Sequence, residues 1–229
     1  MKLQLFFEKY QYLQNNDFAR IIDGQAADPG EYPWQVMVIR VVPNFRQGSK
    51  IYKCGGTLIS QKWVITAYHC VGDRPKNLLI VLRGYVNPPP FLENKPNTDE
   101  IVLGVKKIKL HPKSGIVLET GPYDIALLKM KAKVTYGPKI FPACVPGPDY
   151  RYETGKLVTT TGWGLTQSDP IMQPTVLQEL DMTLVSKQYC KRYIENGCKD
   201  GAMLAITSIF DRNLTNIGRG WYFLLTFVL

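Results

Sequence analysis

Two stretches decide the fold: Cys54-Gly55-Gly56-Thr57-Leu58-Ile59-Ser60, and Thr66-Ala67-Tyr68-His69-Cys70 a few residues on. Trp63-Val64-Ile65 joins them. Each stretch carries one half-cystine and an apolar strand, and the second closes on a histidine. A lone histidine at a strand end is usually a satisfied structural residue. This one has company downstream in Asp124-Ile125-Ala126-Leu127-Leu128, an acid opening an otherwise apolar strand. A carboxylate in such a place has to be hydrogen-bonded if it is buried. Gly162-Trp163-Gly164 follows later.

Outward from these motifs the chain reads as short β-strands. Residues 36–42, 57–60, 63–67, 78–82, 101–110, 125–130, 156–161 and 176–185 are rich in Val, Ile and Leu. Clusters of Pro, Gly, Asn and Asp separate them. Several strands at close spacing point to a barrel or sandwich. One helix is expected over 187–196, stopped by Gly197. The Pro-rich loop 87–96 is expected to be exposed. A boundary between two halves falls near Pro142 and Pro148.

The chain has 229 residues and is 45% apolar, enough for a sizeable core. No run of 18 apolar residues occurs, so no membrane span is expected. The formal charge of +9 favours acidic partners or anionic surfaces. No nucleic-acid-binding motif accompanies it. Two histidines and no Cys-x-x-Cys pair give no expected metal site, and no cofactor is expected. Five cysteines is an odd number, which leaves one thiol without an internal partner.

In this order, the motifs resemble the chymotrypsin/trypsin family of serine proteases. His69 matches the family's catalytic base and Asp124 the acid that orients it. Arg20-Ile21-Ile22-Asp23-Gly24 resembles the activation junction, with cleavage between Arg20 and Ile21 by an activating protease. Gly30-Glu31-Tyr32-Pro33-Trp34-Gln35-Val36 matches the segment that follows it. The likeness runs from about Arg20 to Cys198. It implies an all-β fold of two six-stranded antiparallel Greek-key barrels, the second incomplete. Residues 1–20 would be a pro-segment or the remnant of a signal region. Residues 21–198 would be the protease domain, with barrel one at about 21–141 and part of barrel two at 142–198. Residues 199–229 would be a divergent apolar tail. The resemblance also implies a Cys54–Cys70 disulfide, a bridge between Cys190 and Cys198 that their short spacing puts in question, peptide or protein substrates, and secretion.

The pattern then breaks. The family nucleophile sits in Gly-Asp-Ser-Gly-Gly, and no such string occurs among the 229 residues. Ser208, in Ile206-Thr207-Ser208-Ile209, has no glycine beside it and no Asp before it, and reads as a strand or buried serine. The oxyanion-hole backbone and the specificity pocket have no counterpart either. Substrate preference is therefore not readable. The chain is a truncated or mis-spliced endopeptidase, inactive as it stands, a pseudoprotease with a binding or regulatory role, or an unstable fragment with no function. Tyr68 stands where the family has a small residue. Cys144 matches a cysteine that often tethers a pro-segment, and Asn213-Leu214-Thr215 is a glycosylation sequon. Lys106, Lys107, Lys109 and Lys113, with Lys129, Lys131, Lys133 and Lys139, form a basic tract. Such a tract is usually a solvated face. Relatives that bind heparin make it a candidate for polyanions.

Overall fold

The computed structural model describes residues 24–43, 49–72, 74–87, 89, 99–113, 123–147, 149–151, 153–164, 166–168, 171–186 and 205–206. Twelve strands lie among them, with two short 3-10 turns, Tyr68–Cys70 and Pro75–Asn77. In chain order they are β1 (Gln25–Ala26), β2 (Gln35–Val42), β3 (Lys50–Ser60), β4 (Trp63–Thr66), β5 (Leu78–Leu82), β6 (Ile101–Leu110), β7 (Ala126–Met130), β8 (Leu157–Gly162), β9 (Gln167–Ser168), β10 (Ile171–Met172), β11 (Gln178–Leu184) and β12 (Ala205–Ile206). The helix expected over 187–196 lies outside the described residues.

Six strands close an antiparallel barrel in the order β2-β3-β4-β7-β6-β5. Alternation along β2 explains how both of its faces are used. Val36 and Val38 point into the barrel with Leu58, Val64, Ile80, Leu82 and Leu128. Met37, Ile39 and Val41 point the other way and pack with Val81, Ile51, Leu79 and Trp163. A strand buried on both sides reads as a near-continuous apolar run, as 36–42 does apart from Arg40.

Gly56 is needed for closure. A Cβ there would lie 3.0–3.1 Å from methyls of Val38, Val36 and Val64. Glycine lets these three interior valines meet.

The second half is a partial sheet. β11 pairs with β8 over six residue pairs, and with the two-residue strands β1 and β12. β9 and β10 form a separate small ladder. Val158, Met182 and Leu184 make the core of the β8–β11 sheet, with Leu180 against them. The described architecture is thus one complete six-stranded barrel and one partial sheet, as expected from the sequence. β12 places residues just past Cys198 in that sheet, within the stretch read as a divergent tail.

Polar contacts join the two halves. Thr161 Oγ1 donates to Gln35 Oε1 at 2.9 Å, both residues buried. Trp163 Nε1 donates to the Tyr85 carbonyl at 3.1 Å. Val86 bridges to Val176. Tyr32 Oη donates to Glu179 Oε2, while Glu179 Oε1 accepts from Gln25 Nε2 on the neighbouring β1 of its own sheet. Burial and the neighbouring Glu179 carboxylate push the Tyr32 phenol well above its ordinary range. The inter-half linker runs over the barrel: the amide of Ala143 donates to the Leu58 carbonyl at 2.9 Å.

Candidate active site

The register of β4 and β7 brings the site together. The two strands are antiparallel, with Thr66 opposite Ala126. The chain leaving β4 and the chain entering β7 therefore meet at one end of the barrel. His69 lies three residues past the end of β4, and Asp124 lies two residues before the start of β7. A sequence separation of 55 is closed by that one pairing.

The end of β4 is held firmly. Thr66, fully buried, donates its hydroxyl to the Gly55 carbonyl at 2.8 Å. The chain then winds into the 3-10 turn Tyr68–Cys70, where the amide of Val71 donates to the Tyr68 carbonyl at 3.1 Å. A disulfide ties Cys70 on this turn to Cys54 on β3. Tyr68 is half-buried and the turn forms with it in place.

Asp124 uses both of its oxygens on the same residue. Oδ1 accepts the backbone N–H of His69 at 2.9 Å, and Oδ2 lies 2.6 Å from His69 Nδ1. The first bond fixes the turn relative to the carboxylate, and the second fixes the ring. Nδ1 facing a carboxylate carries the ring proton, which leaves the lone pair on Nε2. The side chains are 25% and 18% exposed, so the pair is shielded yet reachable. An imidazole held in this tautomer beside a carboxylate can take a proton at Nε2, while the carboxylate stabilises the imidazolium that results.

Among the described residues, Cys54, His69 and Cys70 are close enough together to suggest a metal cluster. Their two sulfurs are joined to each other, so no thiolate is on offer. No helix among the described residues is long and apolar enough to cross a membrane. Cys144 is an exposed free thiol. Arg20, Ile21, Cys190, Cys198, Ser208 and Asn213 lie outside the described residues.

Of the basic tract, Lys106, Lys107 and Lys109 are exposed on β6, and Lys113 follows it, also exposed. Lys107 sits opposite Lys129 across β6–β7, and Trp63 sits opposite Lys129 across β4–β7. The Trp63 ring lies 5.2 Å from Lys109 Nζ and 5.3 Å from Lys129 Nζ. The sequence did not reveal that Lys139 is matched by Asp99, at 2.8 Å. That bond and charge hold the Asp99 carboxyl below its ordinary range.

Comparison with known proteins agrees with this geometry. The family model described as Trypsin matches residues 21–211, which carries the match past Cys198. Ovochymase-2 of Mus musculus is 34% identical over 174 residues, 76% of this chain and 26% of that protein. Serine proteinase stubble of Drosophila melanogaster is 36% identical over 172 residues, 75% of this chain and 21% of that protein. The chain thus matches about a quarter or less of the length of these relatives. A family match over most of the chain, on a closed six-stranded barrel with His69 and Asp124 paired at its end, leads to one conclusion: this chain belongs to the trypsin family.

Proposed function

We propose that the chain is a serine endopeptidase domain in which His69 is the general base and Asp124 the acid that orients it. We propose also that the 229 residues by themselves do not hydrolyse peptides. The observation that carries the first part is the double contact of Asp124 with the amide and the ring of His69. A hydroxyl is a poor nucleophile until a base takes its proton. The pair would serve that purpose for a serine placed at Nε2, and polypeptides would be the substrates. The second part rests on the lack of a Gly-Asp-Ser-Gly-Gly string. Losing one member of a Ser-His-Asp triad removes about four to six powers of ten in rate. The residual rate in such cases comes from the oxyanion hole and substrate binding. The lack of the string takes that backbone away as well.

Cleavage after Arg20 would free the Ile21 amine in the manner of the family's zymogens. The Cys54–Cys70 disulfide fits an oxidising, extracellular compartment. The test is turnover of peptide esters by the chain cut after Arg20 and cleared of the activator. Rates equal to buffer are expected. Turnover that disappears in His69→Ala would refute the inactivity and keep the family role.

A binding role is favoured by one observation, the Trp63 ring within 5.3 Å of both the Lys109 and the Lys129 ammonium groups, with Lys107 opposite Lys129. Sulfated polyanions such as heparin suit such a surface. Lys107→Gln/Lys109→Gln should lower the salt needed to elute the chain from heparin resin more than from a cation exchanger of equal capacity. Equal shifts on both would leave only net charge.

A further inference from the structure

The chain on either side of Asp124 is held in two different ways. Beyond it, β7 is fixed by its ladders to β4 and β6, with Leu110 opposite Ala126. The β6–β7 pairing runs one step past the strands, where the amide of His111 donates to the Ile125 carbonyl at 3.4 Å. Before it, the amide of Ile125 donates to the Tyr123 carbonyl at 2.8 Å, so Asp124 is the middle residue of a three-residue turn. Asp124 has thus left the ladder, and the strand register alone does not aim its carboxylate.

Tyr123 is fixed by its ring. That ring stacks on the imidazole of His111, with centroids 4.7 Å apart and planes 7° from parallel. His111 directly follows β6, and the amide of Lys113 donates to its Nδ1 at 3.2 Å, which holds the imidazole plane. The Lys113 ammonium lies 5.3 Å from the centre of the Tyr123 ring. Both rings are half-buried. Stacking and a cation beside the ring favour one orientation of Tyr123, which apolar bulk alone does not.

We propose that Tyr123 and His111 are positioning residues for the His69–Asp124 pair. The stack holds Tyr123, and the turn from Tyr123 to Ile125 then holds Asp124 with Oδ1 on the His69 amide and Oδ2 on the ring. Without the stack Tyr123 is free to swing, and the carboxylate one residue on swings with it. The contact of 2.6 Å between Oδ2 and Nδ1 leaves little slack, because a hydrogen bond weakens steeply as it bends. Both residues act through Asp124 and take no part in proton transfer. The inference rests on the reading of Asp124 as the acid that orients His69.

The test is proton NMR of the full chain grown with isotope-labelled histidine. The chain has two histidines, so the ring signals are few and His111→Ala assigns them. The proton between His69 Nδ1 and Asp124 should give a far-downfield signal that Asp124→Asn removes. Tyr123→Leu keeps apolar bulk but loses the ring, and exchange of that proton with water should become about three- to tenfold faster, the range an aromatic pair contributes. His111→Ala should do the same. Tyr123→Phe keeps the stack and should exchange at the native rate. Amides of the β2–β3 ladder should keep native rates in every variant, which separates positioning from a general loosening of the barrel. Native-rate exchange of the His69 proton in either Tyr123→Leu or His111→Ala overturns the proposal. So does equal acceleration in Tyr123→Leu and Tyr123→Phe, or acceleration shared by the β2–β3 amides. If Tyr123→Leu does not fold, His111→Ala against the ring-keeping His111→Phe decides. A native chain without the downfield signal overturns the reading of the pair itself, a failure distinct from native-like exchange in the variants.

Discussion

Replacing Cys54 and Cys70 together by alanine should weaken the barrel by an amount the structure sets. The bridge spans a separation of 16 residues, from β3 through β4 to the 3-10 turn. Loop-closure entropy for that length gives about 10 cal/mol/K, or about 3 kcal/mol at 25 °C. Cys70 is also buried in the main core cluster. Deleting its sulfur leaves a small void costing about 1 kcal/mol more. For a chain of this size the sum corresponds to a fall in Tm of about 10 °C. Urea unfolding of the native and doubly substituted chains, with Tm as a second readout, measures it. The loss should also be local. Amides of 69–71, whose bonds to Asp124, Ala67 and Tyr68 hold the turn, should exchange faster relative to the β2–β3 ladder. A loss under about 1 kcal/mol would refute the reasoning. It would mean that the β4–β7 ladder and the Thr66–Gly55 bond hold the turn without the bridge.

Two further substitutions probe the packing around this site. Gly56→Ala puts a methyl within 3.0–3.1 Å of three valines, and overpacking of that kind should cost about 1–3 kcal/mol by urea unfolding; an unchanged midpoint would contradict the closure argument. Lys53 tests a buried amine whose pKa desolvation lowers from 10.5 to about 8. Between those values the unfolded chain binds more protons than the folded one, so this group makes stability rise with pH; its cost is full below pH 8 and gone above 10.5. Lys53→Met should therefore gain on the wild type at neutral pH relative to high pH, by up to about 3 kcal/mol. A stability difference that stays flat across the window would contradict it.

Much of barrel one was legible because apolar runs and turn residues alternate cleanly there. Strands expected at 36–42, 78–82 and 101–110 appear as β2, β5 and β6 with bounds within a residue. β3 was not: only 57–60 was read, while the strand begins at Lys50. Its first half, Lys50-Ile51-Tyr52-Lys53-Cys54-Gly55-Gly56, carries lysines and glycines that weaken any strand signal. Gly56 is there to let valines close, and Lys53 reaches the side-chain oxygen of Asn87, so local propensity gave way to tertiary contacts. The two-residue strands β1, β9, β10 and β12 are too short for any period to show.

The His69–Asp124 pairing was legible as a resemblance and not as geometry. Nothing local says that Thr66 will face Ala126, the register on which the site depends. Trp163 was legible only as part of a motif, and the structure gives it a place as the cover of Met37, Ile39 and Val81. The His111–Tyr123 stack left no trace in the sequence, because only the pairing of β6 with β7 brings its rings together.

Fluorophosphonate labelling tests the central claim most directly, that the barrel builds the His69–Asp124 pair while the 229 residues lack a serine for it to activate. The chain, cut after Arg20 and cleared of the activator, is incubated with the probe and mapped by peptide mass analysis. No serine should be modified above the level of the denatured control. Stoichiometric labelling of Ser208, abolished by His69→Ala and by Asp124→Asn, would contradict the account and return this chain to the active proteases.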